Sequence, residues 1–174
     1  MCIFFVACVK LAFFAFIFTY LLYSQTGLTE KNMKIAIAAD HGGYELKEAL
    51  KKHYTSLNLT DLGTFSPQSV DYPDIAHKMA KEILAGRADL GILICGTGVG
   101  ISIAANRHKG IRAALIYSHE VARLAKEHNN ANVLVFGGRT MALNDVIDYI
   151  DTFLNAQFEG GRHQNRLNKL DATE

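Results

Sequence analysis

The run Cys95-Gly96-Thr97-Gly98-Val99-Gly100-Ile101-Ser102 sets a thiol beside three glycines at alternate positions. Glycines spaced in this way let several backbone N–H groups converge on one anionic atom, as in loops that hold oxyanions or phosphates at a helix start. A thiol at the lip of such a loop feels the positive end of the helix dipole, which favours the thiolate. A thiolate base beside fixed N–H donors is the equipment for removing a proton next to a carbonyl. The negative charge that then develops on oxygen must be held, and losing one such donor typically costs about 2.7–4 kcal/mol. Taken alone, the same residues also describe a tight turn after a small buried cysteine.

Other residues could complete that chemistry. Asp40-His41-Gly42-Gly43 supplies a carboxylate for proton handling on substrate oxygens and an imidazole for phosphate or hydroxyl contacts, though Asp before Gly-Gly is also a frequent helix cap. His128-Asn129-Asn130 closes a helical stretch, where a histidine can merely satisfy the last carbonyls. Arg139, Arg162 and Arg166 suit phosphate through the bidentate guanidinium fork, against the ordinary reading of solvated surface. Two rival chemistries fit poorly. A dinucleotide fingerprint needs its third glycine at position 101, which is Ile, and a cysteine phosphatase needs an arginine in the loop, which has none. His53, His77, His108 and His163 show no metal-ligand spacing with cysteine or one another, so no metal site is expected.

These residues must be positioned by the elements around them. From Lys34 onward, short apolar β-branched runs alternate with stretches of helical period, the signature of βα units on a parallel sheet. Strands are expected at Lys34–Ala39, Leu57–Asp61, Leu90–Cys95, Ile111–Tyr117 and Val133–Phe136, the third and fourth covered on both faces. Helices are expected at Tyr44–His53, Tyr72–Ala85, Ile101–Asn106, His119–His128 and Ala142–Asn155, with Asp71 as a cap and Pro73 in a first turn. In open α/β sheets ligands gather outside the carboxyl ends of the strands, where strand order reverses. Asp40 and His41 follow the first strand, Cys95–Gly100 the third and Gly137–Arg139 the fifth. After Asn155 a glycine break leads into a polar, basic tail with little apolar surface of its own.

The chain has 174 residues, about half of them hydrophobic and a fifth charged, with a formal net charge of +1. That is one globular domain without the basic footprint of a nucleic-acid binder. Cys2 and Cys8 lie near the start, so the body of the protein has Cys95 alone and no disulfide, which suits a reducing compartment. Cys2–Tyr23 is almost wholly apolar and long enough to span a bilayer. Lys10 within it would cost roughly 2.5–3.5 kcal/mol near a helix centre, and a secretory signal carries its charge before the apolar run. Met33 is an alternative translation start. Residues 1–32 are therefore expected to be a start-site artefact, with an anchor through residues 2–23 as the alternative, and residues 33–174 a single cytoplasmic domain.

Ala39–Gly43, Asp71-Tyr72-Pro73, Gly91–Asn106, Glu127–Asn132 and Gly160-Gly161-Arg162-His163-Gln164, taken in order, resemble the type B ribose-5-phosphate isomerase family, which also includes galactose-6-phosphate isomerase subunits. The resemblance covers Met33 to about Leu170 and departs only at the apolar leader. It implies a Rossmann-like three-layer α/β/α sandwich with a five-stranded parallel sheet and a C-terminal helical tail. It also implies a homodimer or tetramer with active sites shared between subunits, and no cofactor. The reaction implied is interconversion of ribose 5-phosphate and ribulose 5-phosphate through an enediolate, in the non-oxidative pentose phosphate branch. By the resemblance Cys95 moves the proton between C1 and C2 assisted by Thr97, and the amides of Gly96, Gly98, Val99, Gly100 and Ser102 hold the enediolate. His128 opens the furanose ring, and Asp40, Tyr72 and Asn129 contact the sugar. His41 and Arg139 bind phosphate beside Arg162 and Arg166 of a neighbouring subunit. A six-carbon sugar phosphate as substrate, and a non-catalytic phosphate or nucleotide sensor, are the competing expectations.

Overall fold

The computed structural model describes residues 33–172. The apolar stretch 2–23, Cys2, Cys8 and Lys10 lie outside the described residues. Five parallel strands form one sheet: β1 (Lys34–Ala39), β2 (Asn58–Asp61), β3 (Leu90–Cys95), β4 (Ala113–Leu115) and β5 (Val133–Gly137), in the order β2-β1-β3-β5-β4. Six helices accompany them among the described residues: α1 (Tyr44–His53), α2 (Tyr72–Leu84), α3 (Val99–Ala105), α4 (His119–Glu127), α5 (Leu143–Asn155) and α6 (Arg162–Leu167).

The central strand explains why the sheet needs two helical layers. All six residues of β3 are buried, so its alternate side chains require cover on both faces. One face carries Ala36, Ala38, Leu93, Cys95, Val133 and Val135, packed under Ala76, Met79 and Ala80 of α2 and Ile101, Ala104 and Ala105 of α3. Those helix positions recur at three- and four-residue spacing, the stripe an amphipathic helix turns inward. The opposite face takes Leu46 and Leu50 from α1 and Val146, Ile150 and Phe153 from α5, all buried. Each fully buried Ile, Leu or Phe contributes roughly 1.5–3 kcal/mol relative to exposure.

Burial also reaches a lysine. Lys47 on α1 is 0% exposed, and its Nζ donates to Asp61 Oδ2 at 2.6 Å and Glu48 Oε1 at 2.7 Å. Lys51 joins the same two carboxylates at 2.6 and 3.0 Å. Burial of Asp61 works against its ionisation, but hydrogen bonds from Lys47, Lys51 and the Gly63 amide outweigh it and hold the carboxyl below its usual range.

Several expected boundaries shift for identifiable reasons. The third expected helix begins two residues early, at Val99, because Gly98 takes a left-handed φ of 81° and serves as its N-cap. The expected strand Ile111–Tyr117 shrinks to Ala113–Leu115 and is only half-buried, not covered on both faces. It is the sheet edge, pairing with β5 alone, and Arg112 before it is tied to the Asn130 carbonyl. Asp71 occupies the N-cap of α2 but makes no side-chain cap hydrogen bond. Pro73 lies in that first turn as expected. Among the described residues no helix is long and apolar enough to cross a membrane.

Candidate active site

Strand order reverses between β1 and β3, which pair from Ile35–Leu90 to Ala39–Ile94. Their carboxyl ends and that of β5 release three loops that are stitched together through backbone. Asp40 N donates to Ile94 O at 3.1 Å, Gly138 N to Cys95 O at 2.8 Å and Arg139 N to Gly96 O at 3.0 Å. The approach is close enough that a Cβ on Gly138 would lie 2.5 Å from Gly42 O, and one on Gly42 would lie 3.0 Å from Gly96 Cα. Side chains are excluded where these loops meet, which fixes Asp40, Cys95 and Arg139 relative to one another.

Cys95 ends β3 with its thiol buried and accepts a hydrogen bond from Gly98 N at 3.2 Å. The left-handed φ of Gly98 aims that amide back at the sulfur. Thr97 is exposed beside it, and its Oγ1 accepts from Val99 N at 3.4 Å. Val99 N, Gly100 N and Ile101 N form the first turn of α3, where amides lack intrahelical partners. The donor set stops there. Ser102 N already donates to Gly98 O at 3.1 Å and Ser102 Oγ to Val99 O at 2.8 Å, so Ser102, expected among the cradle amides, closes the helix turn instead.

Asp40 is buried, and its Oδ1 accepts from Gly42 N at 2.8 Å and Gly43 N at 3.1 Å. The carboxylate thus organises its own loop, the capping role, while Oδ2 remains outside those two bonds. His41 Nδ1 lies 3.3 Å from Val70 O, which ties the first loop to the segment leading into α2. Tyr72, 40% exposed, stands against Gly100: a Cβ there would meet its ring at 2.8 Å. The Arg139 guanidinium lies over Gly96, 3.4 Å from where a Cβ would be, and is exposed. Asp40, His41, Tyr72, Cys95–Gly100 and Arg139 therefore belong to one crevice.

His128, Asn129, Arg162 and Arg166 do not join them. Parallel strands put every helix C-terminus at the opposite end of the sheet, and His128 caps the C-terminus of α4. The chain then passes Asn132, whose carbonyl accepts from Gly91 N at the start of β3. Gly91 pairs with Val133 and Cys95 with Gly137, a separation along the strands of about 13 Å. His128 lies beyond the near end of that span.

The tail packs at this second end on its own chain. Glu159 N donates to Glu127 O at 3.0 Å. The His163 ring, buried at 3% exposure, stacks on His128 with centroids 4.1 Å apart and planes 9° from parallel. Glu159 Oε2 is 3.3 Å from His163 Nε2 and 3.8 Å from His128 Nε2. Burial, with His128 and the Arg162 guanidinium close by, pushes the His163 imidazole below its ordinary value. A pocket of about 200 Å³ lined by His128, Asn129, His163, Arg166, Leu167 and Leu170 opens here. Sequence spacing concealed the contribution of Glu159 and His163: they lie four residues apart across the Gly160-Gly161 turn, but His128 is 31 residues upstream of Glu159. A wider pocket of about 530 Å³ between α4 and α5, lined by His119, Arg123 and Asp148 among others, holds none of the residues expected in the site.

Comparison with known proteins gives the family. Residues 35–170 match the family model described as Ribose/Galactose Isomerase. Ribose-5-phosphate isomerase B of Escherichia coli is 45% identical over 143 residues, covering 81% of this chain and 96% of that protein. The crystal structure of a ribose 5-phosphate isomerase from Thermotoga maritima superposes with a TM-score of 0.79 at 51% identity, covering 80% of this chain and 98% of that one. Ribose-5-phosphate isomerase B of Mycoplasma genitalium, solved with bound ribulose-5-phosphate, gives 0.76 at 45% identity, covering 80% and 94%. With its fold and most of its length shared with these enzymes, the chain belongs to the ribose/galactose isomerase family.

Proposed function

We propose that the protein interconverts D-ribose 5-phosphate and D-ribulose 5-phosphate, with Cys95 as the base and the crevice at the carboxyl ends of β1, β3 and β5 as the site. The observation that carries this reading is the thiol of Cys95 facing the Gly98 amide at the mouth of α3, within loops fixed by backbone contacts to Asp40 and Arg139. In the forward direction the thiolate removes the proton from C2 of the open-chain aldose. Electrons move onto O1, where the α3 first-turn amides hold the enediolate charge. The thiol then returns the proton to C1, while the O2 proton passes to O1 by way of Asp40. Thr97 beside the sulfur assists the transfer. Tyr72 bounds the sugar, and His41 and Arg139 take the phosphate.

The reading requires two copies of the chain. His128 and Asn129, for ring opening and sugar contact, and Arg162 and Arg166, for phosphate, sit at the far end of the sheet from Cys95, so they serve the crevice of a neighbouring copy. An isologous arrangement gives each dimer two such composite sites. The test is the rate of ribose 5-phosphate isomerisation with Cys95→Ala alongside. A fall of about 10²–10⁴-fold in the variant is expected for loss of a positioned base. Preference for a six-carbon sugar phosphate, or full activity without the thiol, overturns the assignment.

A further inference from the structure

The cluster at the strand-start end has a composition that proton transfer and phosphate binding do not require. His128, Glu159 and His163 each offer a ligand atom, and these atoms all lie within 4.8 Å of one another. Bond lengths of 2.0–2.2 Å to a tetrahedral ion set ligand atoms about 3.3 Å apart, so closure around an ion brings pairs of ligand atoms together by up to about 1.5 Å. The Glu159–His163 pair already stands at 3.3 Å. Two imidazole nitrogens and one carboxylate oxygen form a donor set for Zn²⁺, Co²⁺ or Ni²⁺ rather than Mg²⁺ or Ca²⁺.

The framework is fixed where it needs to be. His128 N donates to Leu124 O, Glu159 N to Glu127 O and His163 N to Gly160 O, at 2.9, 3.0 and 2.9 Å. Two movements are required: one imidazole must turn out of the 9° stack so that both ring nitrogens face the ion, and the half-exposed Glu159 side chain must follow it. One contact opposes binding: Arg162 Nε donates to His163 Nε2 at 3.3 Å, the same nitrogen an ion needs. Arg162 is exposed and can swing away, but its charge makes the site weaker than a closed structural zinc site.

We propose that His128, Glu159 and His163 bind a divalent transition-metal ion of the zinc class, and that the bound ion withholds His128 from the sugar. The second half rests on the isomerase reading above. Three protein ligands leave the fourth position to water, so the ion closes off His128 Nε2 without requiring the tail to move. The sugar phosphate and the ion then compete for His128.

The experiment titrates the full chain with Zn²⁺ by calorimetry and with Co²⁺ by visible absorption, with no substrate present. One ion per chain with a tetrahedral Co²⁺ spectrum is expected. Glu159→Gln, exposed and so safe for the fold, and His163→Gln should each weaken binding at least tenfold, while Cys95→Ala should bind as the parent does. No binding, parental affinity in either ligand variant, or loss of binding in Cys95→Ala overturns the site. In a parallel assay Zn²⁺ should suppress isomerisation along the same binding curve, sugar phosphate should shift that curve to higher Zn²⁺, and Glu159→Gln should resist by the factor its affinity falls. Binding without suppression overturns the competition for His128. A chain with no isomerase activity would count against the proposed reaction, while the Co²⁺ spectrum and calorimetry still decide the ion site.

Discussion

Gly98 donates its amide to the Cys95 sulfur across 3.2 Å, and it can do so only because its φ of 81° turns the peptide back toward the end of β3. A Cβ at position 98 would meet Leu115 Cδ1 at 2.5 Å and Phe136 carbonyl atoms at 3.1 Å. The fold therefore demands glycine here twice, for conformation and for space. Gly98→Ala is expected to lower stability by about 1–3 kcal/mol and to cut isomerisation by at least about 10²-fold in the fraction that remains folded. Urea unfolding and turnover on the same sample check this. Retention of activity with lost stability would separate the turn from the chemistry.

The segregation of Cys95 and His128 to opposite ends of the sheet makes a second prediction. Inactive Cys95→Ala and His128→Ala chains, unfolded together and refolded at equal ratio, form mixed dimers in half the cases. Each mixed dimer has one intact composite site, so about a quarter of parental activity should return. With substrate held well below the parental KM, where the arginine variants are also nearly silent, Arg162→Ala or Arg166→Ala in place of His128→Ala should likewise complement Cys95→Ala. Arg139→Ala should not, because Arg139 shares the Cys95 crevice through Gly96. Recovery in the Arg139 mixture, or none in the His128 mixture with mixed dimers verified, would sink the two-copy site.

The crevice was legible in the sequence because most of its residues come from strand-to-helix loops, those after β1, β3 and β5, and period and glycine spacing report such loops directly. β1, β3 and α1 emerge with the bounds that pattern gives. What the pattern could not convey is which end of the sheet a helix terminus reaches. His128-Asn129-Asn130 looks like the other polar loops in one dimension, and only the parallel sheet sends it to the far end. Ser102 misleads for a related reason: it lies in the glycine run, but the helix begins at Val99, so its amide is spent on Gly98 O. Lys47, on the inward face of α1 as a buried charge, leaves no mark in hydrophobic periodicity, since its carboxylate partner Asp61 is 14 residues away.

That buried pair predicts the acid limb of stability. Asp61 ionises more readily in the folded chain than its ordinary value of 3.8. Its contribution is thus complete above that value and is lost as pH falls through the lower folded value. Urea midpoints should decline below about pH 4, and Asp61→Asn should flatten that decline. At neutral pH the same substitution removes one of two carboxylates from a lysine with 0% exposure, costing about 3 kcal/mol, the low end for breaking a buried pair because Glu48 remains. An unchanged acid limb in Asp61→Asn would assign the decline to other carboxylates.

Arg139 and Arg166 are expected to act on phosphate through different copies of the chain yet on one ligand. Each charge-assisted contact is worth about 1.5–3 kcal/mol, so Arg139→Ala and Arg166→Ala should each raise KM about 10–150-fold with a smaller effect on kcat. Inorganic phosphate as a competitive inhibitor should weaken by the same factor, since it probes that subsite without the sugar. Lysine at either position should recover less than half of the lost binding free energy, because an ammonium keeps the charge but not the fork. A variant that lowers kcat with KM and phosphate inhibition unchanged would instead place that arginine at the enediolate, and the phosphate would then depend on His41 and the loop amides beside it.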